Sequence, residues 1–205
     1  MAISYPLALP ATRGFRRLAL MPMSVVGVQA APLTGGQTVY AWPGEWWEGE
    51  FELGSMNRED GEPWAAFVAA LNGREGTFLA GDPLGAAPRG TWAGAPKVLG
   101  AHAAGVKTIA MDGFSAGATV KSGDWFQQGT GALSRLHKIV QDGTADGGGL
   151  LTIEIWPRTR VALIDNETFV TAGAKGVWRL NNNRRGWSIE DVRIGGISLP
   201  IIEAV

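Results

Sequence analysis

Between Trp47 and Leu53 the chain alternates: Trp47, Gly49, Phe51 and Leu53 are apolar or small, and Glu48, Glu50 and Glu52 stand between them. A period of two predicts a β-strand with one dry face and one wet face. Two short strands, "VVGVQ" and "TVYAW", precede it and flank the turn "PLTGGQ". The period then changes. Trp64, Phe67, Val68 and Leu71 fall at i, i+3, i+4 and i+7, which predicts one helix over about 61–71. Asp60 is placed to cap it, Pro63 suits a first turn, and Gly73 suits a left-handed stop. "TFLAG" returns to strand, and "DPLGAAPRG" leaves this part of the chain with little to bury.

From about Thr91 to Pro157 the texture is finer. "KTIAMDG", "DWFQQG", "RLHKIVQD" and "LLTIEIWP" are short strand candidates separated by glycine turns, which predicts a small, strongly bent sheet or barrel. "GVWRLNN" and "GWSIEDVRIGGISLP" flank the turn "NNNRRG" and read as a hairpin that needs partners in the first part. The expectation is a mainly β chain with one short α-helix. A β-sandwich-like module spans 1–90 and 158–205, and a small β-barrel-like domain over 91–157 is inserted into it. No fixed-period repeat and no long linker interrupt this plan.

Composition adds constraints. The chain has 205 residues, enough for one sizeable core or two small ones, and a formal net charge of −1. No basic field suggests nucleic acid and no acidic tail suggests disorder. Thirty glycines and eleven prolines fit many short strands, and nine tryptophans fit a surface that another chain covers. Cysteine is absent, which excludes disulfides and thiolate metal sites and fits assembly in a reducing cytoplasm. The first residues do not read as a signal peptide, because Arg13, Arg16 and Arg17 follow the first apolar residues and Pro6 and Pro10 interrupt them. No uninterrupted apolar run reaches membrane-spanning length.

Several motifs resemble chemistry without its context. "GFSAG" (Gly113, Ser115, Gly117) has nucleophile-elbow spacing, but turn and strand residues follow it where a helix is required. "GAHAAGVKT" places Val106 between Gly105 and Lys107, which breaks a phosphate loop. "QDGTADGGG" sets Asp142, Thr144 and Asp146 at calcium-loop spacing, yet Ile153 stands where a bidentate Glu belongs, so a solvated hairpin turn is expected. His102 and His137 form no metal motif, and His137 reads as a partly exposed sheet residue. Glu45, Glu48, Glu50 and Glu52 lie near Trp42, Trp46 and Trp47, as in a sugar cleft, although alternation explains three of the four. Asp82 reads as a local turn cap. The expectation is therefore no catalytic residue, no cofactor and no metal site.

The run from Trp46 to Gly90 resembles the distal tail proteins of long-tailed bacteriophages and related gene-transfer particles. The marks are Met56 with Arg58, Trp64 to Phe67, "L-x-G-x-x-G-T-F" from Leu71 to Phe78, "G-D-P" from Gly81 and "P-R-G" from Pro88. "GDWFQQG", "RLHKIVQD" and "LTIEIWPRTR" continue the resemblance. It implies a structural, non-enzymatic virion protein, assembled in the bacterial host cytoplasm and placed at the distal end of the tail. There it would form a homohexameric ring joining the tail tube protein to the hub or baseplate protein. The tape-measure protein and DNA would pass through its channel, and no membrane insertion by this chain is implied. Head-to-tail ring contacts need exposed anchors, and the candidates are Trp42, Trp46, Trp47, Met56 and Arg58. The alternatives are a carbohydrate-binding or glycosidase tail-associated module and a serine hydrolase built on Ser115.

Overall fold

The computed structural model describes residues 3–12, 14–190 and 193–204. The fold is mainly β with a single α-helix among the described residues. The chain opens with β1 (Leu7–Ala8), β2 (Arg17–Ala30), β3 (Gln37–Glu52), helix α1 (Arg58–Ala70) and β4 (Thr77–Ala80). The middle supplies β5 (Gly94–Val98), β6 (Thr108–Phe114), β7 (Thr119–Val120), β8 (Trp125–Gln128), β9 (Arg135–Ile139), β10 (Gly143–Thr144) and β11 (Leu151–Trp156). The end supplies β12 (Gly176–Leu180), β13 (Ser188–Glu190), β14 (Arg193–Gly195) and β15 (Ser198–Glu203).

Strands from both ends of the chain make one sheet, in the order β1-β4-β12-β15-β3-β2, and only the β1–β4 pair is parallel. The middle strands make a second, antiparallel sheet in the order β5-β6-β11-β9-β8, beside the small β7–β10 pair. The last portion divides differently from expectation. β12 pairs with β15 rather than with the residues just after its turn, and β13 and β14 form their own hairpin. Asp191 and Val192, inside that strand candidate, lie outside the described residues. The segment from Arg158 to Gly173, expected in the first module, runs along the second sheet: His102 pairs with Leu163, Val98 N–H donates to Glu167 O, and Gln127 pairs with Val170.

The alternation from Trp47 to Leu53 is realised in full, with the apolar positions buried and the three glutamates half-exposed. The helix begins one turn earlier than expected. Asn57, not Asp60, caps it, because its side-chain oxygen accepts from the Asp60 N–H at 2.8 Å. Pro63 consequently lies inside the helix rather than in its first turn. Trp64, Phe67, Val68 and Leu71 are buried as one stripe, and Gly73 follows at φ +66°. This stripe meets Phe51, Phe78 and Trp178 in a first core. Val98, Ile109, Met111, Phe126, Ile139 and Ile153 belong to a second.

The two sheets meet in a seam at Trp47, which lies on β3 and packs against residues of β8, β9 and β11. Its ring stands 4.3 Å from Trp156 and 5.0 Å from Trp125 between ring centres, and its Nε1–H donates to Leu136 O at 3.0 Å. The "DPLGAAPRG" exit buries little, as expected, yet two of its glycines run close against the middle strands. A side chain on Gly85 would place its Cβ 2.3 Å from the Trp125 ring, and one on Gly90 would lie 2.4 Å from Thr119 O. Both positions therefore admit only glycine without displacement of the seam.

Candidate functional site

Two features of the first module have no counterpart in the expectation of short strands at its start. The first is a long ribbon. β2 and β3 pair from Arg17↔Glu52 out to Ala30↔Gln37, with a bulge between Ser24 and Val26, so their outer halves extend beyond the rest of the sheet. From Leu18 through Gly44 the chain carries no charged side chain. Directly opposed residues share a face of a ribbon. Val26↔Ala41, Val28↔Val39 and Ala30↔Gln37 make an aliphatic face, and Gly27↔Tyr40 and Gln29↔Thr38 lie on the other. Trp42 stacks with Tyr40 on that second face at 6.3 Å. Val26, Val28, Val39, Tyr40 and Trp42 are all exposed, and Leu33 at the turn is 96% exposed. Exposed paired strands without charges are what natural edge strands otherwise avoid, because they invite association.

The second feature is a groove of about 690 Å³ beside the base of the ribbon. Phe15, Leu18, Leu20, Trp47, Leu84 and Trp125 give it apolar walls. Arg17 at its edge is paired with Glu52 at 3.0 Å, and Lys138 sits 4.2 Å from the centre of the Trp125 ring. Asp82 is also engaged: one oxygen accepts from Leu84 N–H at 2.9 Å, which is the expected turn cap, and the other from Trp125 Nε1–H at 3.0 Å.

The five anchor candidates separate on this geometry. Trp42 is 53% exposed on the ribbon. Trp46 is half-buried and donates Nε1–H to Glu48 at 3.0 Å. Arg58 is exposed and pairs with Glu62 one helical turn on. Trp47 and Met56 are buried within the single chain, although Trp47 also contributes to the wall of the groove. The reason is parity for Trp47, which shares the dry face with Phe51. Met56 bridges to Ile194 through backbone hydrogen bonds in both directions, which brings the β13–β14 hairpin over it.

The acids also separate. Glu48, Glu50 and Glu52 lie on the wet face, and Glu50 accepts from Ser198 Oγ at 2.6 Å. Glu45 has the parity of Trp47 and is buried, where Lys107 Nζ reaches it at 2.6 Å and Arg158 N–H at 2.9 Å. Burial alone would raise its pKa, but these partners outweigh burial and hold it below the ordinary range. A matching pair, Arg160 with buried Glu203 at 2.9 Å, stands nearby, and Glu203 also accepts from Trp47 N–H. There burial dominates, and the Glu203 carboxyl is pushed up. Both pairs tie the seam together rather than facing a cleft.

The motif candidates are accounted for locally. Ser115 lies in the turn after β6, its N–H donating to Ala93 O, and strand β7 follows where an elbow would need a helix. The Gly100–Lys107 stretch joins β5 to β6, and its lysine is the Glu45 partner. Asp146 accepts from Gly148 and Leu150 N–H within its own turn, and Asp142 accepts from Ser122 N–H and Lys121 Nζ. The residue that pattern reading missed is Asp124. Its buried carboxylate accepts from Arg89, Gly90 and Lys121 N–H and from Trp92 Nε1–H, all between 2.6 and 3.0 Å. Burial opposes its charge, yet the four donors prevail and lower its pKa.

His137 corrects an expectation: it is sealed, not partly exposed. The ring stacks on Phe126, and Nδ1 lies 2.8 Å from Pro157 O. A carbonyl only accepts, so Nδ1 carries the proton and buried Nε2 has no partner. Burial, with Arg160 and Arg135 adding to it, lowers the pKa from 6.5 to about 4 despite the Pro157 bond. The unfolded chain therefore binds more protons than the folded one between those values, and stability falls as pH drops through them. The expected share of His137 is about 3 kcal/mol, from 1.36 kcal/mol per pH unit. Chemical unfolding of wild type and His137→Asn at pH 7 and pH 4 checks this. The variant should lose less on acidification by about that amount, and an equal loss in both would remove the burial explanation.

Among the described residues no helix is long and apolar enough to cross a membrane, and no group of three or more metal-ligating side chains converges. No protein-family model and no curated protein matches the chain.

Proposed function

We propose that the chain is a structural subunit of a bacteriophage-type tail, a distal tail protein whose copies form a ring between tail tube and tail tip. The observation that carries this reading is the uncharged ribbon exposed on both faces. Such a surface is stable against indiscriminate association only where a specific partner covers it. A ring supplies that partner from identical chains through head-to-tail contacts that close. The resemblance over Trp46 to Gly90 supports the family reading, and the homohexameric order is what that resemblance implies. The tube protein would meet one face of the ring and the hub or baseplate protein the other, while the tape-measure protein and DNA pass through the channel. A channel for DNA must not grip it, and the near-zero net charge agrees with weak phosphate contact.

Gold-labelled antibody against the chain, applied to intact particles, tests this assignment. Label at the end of the tail remote from the capsid is expected. Label on the capsid would refute it.

A further inference from the structure

We infer that the groove beside β2 is the centre of a longer trough that docks an extended segment of a different protein, one that combines acidic with apolar side chains. This stands on the lining of the trough and not on the ring reading. The groove of about 690 Å³ does not end at its own walls. A hollow of about 300 Å³ adjoins it through Phe15, Asp82 and Pro83, and another of about 150 Å³ through Leu84, Trp125 and Lys138.

Charge is unevenly placed along it. The whole chain carries 18 lysines and arginines against 19 acids. The trough collects Arg16, Arg17, Arg89, Lys138 and Lys175 against Asp82 and Asp124. Both acids already accept from N–H donors on each oxygen. Of the five cations, only Arg17 has a carboxylate partner among the described residues, namely Glu52. Lys138 rests on the Trp125 ring, and Arg89 donates to Ser122 O. The side chains of Arg16 and Lys175 are exposed and have no hydrogen-bond or ion-pair partner among the described residues. The lining therefore keeps an excess of uncompensated positive charge.

Strand parity explains why the nearby glutamates do not neutralise Arg16. Its backbone N–H donates to Glu52 O, so it continues the β2 ladder by one residue. It shares a face with Leu18, Leu20 and Pro22, which line the groove. Glu48, Glu50 and Glu52 have the opposite parity and stand on the other face of the sheet.

The distribution of these groups specifies the occupant. Arg16 and Lys138 line the central groove, Lys175 one adjoining hollow and Arg89 the other. Phe15, Leu20 and Leu84 give the same lining its apolar surface. A small anion would meet one hollow only, and a phosphodiester backbone would leave the apolar walls uncovered. An extended polypeptide advances about 3.4 Å per residue and presents both kinds of side chain along its length. This chain's own acidic runs are held in β3 and α1, so the segment comes from another protein.

A random-peptide library displayed on ribosomes and selected against the immobilised full chain tests this. Recovered sequences should combine Asp or Glu with apolar residues, and their binding should weaken as salt rises, because salt screens exposed charges. Arg16→Glu and Lys175→Glu should each weaken the recovered peptides by roughly ten-fold. The melting temperature should not move, because both side chains are exposed. Arg184→Glu makes the same charge change at an exposed residue outside the trough and should leave peptide affinity unchanged. Neutral or basic recovered sequences, peptides that bind Arg16→Glu as tightly as wild type, or no recovered sequence would each overturn the docking site. None of these results bears on the ring reading.

Discussion

Asp124→Ala is expected to be among the most damaging single substitutions in the chain. It leaves three backbone N–H groups and the Trp92 indole N–H without their acceptor in a buried site. Each orphaned buried donor costs about 1–3 kcal/mol, so a total loss of about 4 kcal/mol or more is expected even with partial relaxation. Trp92 makes the site less forgiving. It is held at φ +43°, a left-handed conformation that a bulky side chain adopts only when its surroundings enforce it. Removing the Asp124 contact frees the indole, and the backbone then relaxes away from the seam. Thermal unfolding followed by tryptophan fluorescence should show a large drop in midpoint. Asp124→Asn, which keeps one carbonyl acceptor, should fall between wild type and the alanine variant. A midpoint for Asp124→Ala within a degree or two of wild type would mean that these hydrogen bonds do not organise the loop.

Phe67→Ala is the second large effect. Phe67 packs edge-on to Trp64 at 5.7 Å and to Phe78 at 5.4 Å, so it joins helix α1 to strand β4. Truncating a buried Phe costs about 3–5 kcal/mol. For a domain of this size that lowers the melting temperature on the order of 10 °C. Glu62→Ala, on the exposed side of the same helix, removes only the surface pair with Arg58 and should change stability by less than about 0.5 kcal/mol. Calorimetry of both variants decides the matter, and equal effects would contradict the buried stripe.

These two residues differ in how legible they were. The Phe67 stripe has a period that one helix face explains by itself, so the pattern locates its inner side without knowledge of any partner. The helix start was less legible. Asn57 and Asp60 are both competent caps, and the first turn has no apolar position to register it. Asp124 was invisible because three of its four donors lie more than thirty residues away in sequence. His137 and Leu136 break strand parity for a related reason. β9 lies at the seam and has no wet face, so adjacent residues are both buried, Leu136 toward the first core and His137 against Phe126. Trp47 was legible as dry but not as to what covers it, and the cover is the chain's own middle segment.

The ribbon was the hardest element to read. Alternation reveals a strand only when one face is wet and one dry. Here both faces are uncharged, and the bulge between Ser24 and Val26 interrupts the ladder midway. The sequence therefore shows two short apolar strands and a turn where the structure has one continuous arm. Its exposed residues include one anchor candidate, Trp42, but the aliphatic row opposite was not among the candidates at all. Pattern reading favoured tryptophan because of its size. The structure identifies the surface by what remains uncovered, which is a property of the fold and not of any single residue.

The claim that these copies close into a ring at the tail end is tested most directly by counting them there. Rotationally averaged electron microscopy of intact tails, with this chain located by a fused tag, gives position and copy number together. The account predicts a sixfold ring of this chain around the channel, between tail tube and tail tip. A single copy per particle, or density confined to the capsid, would contradict it.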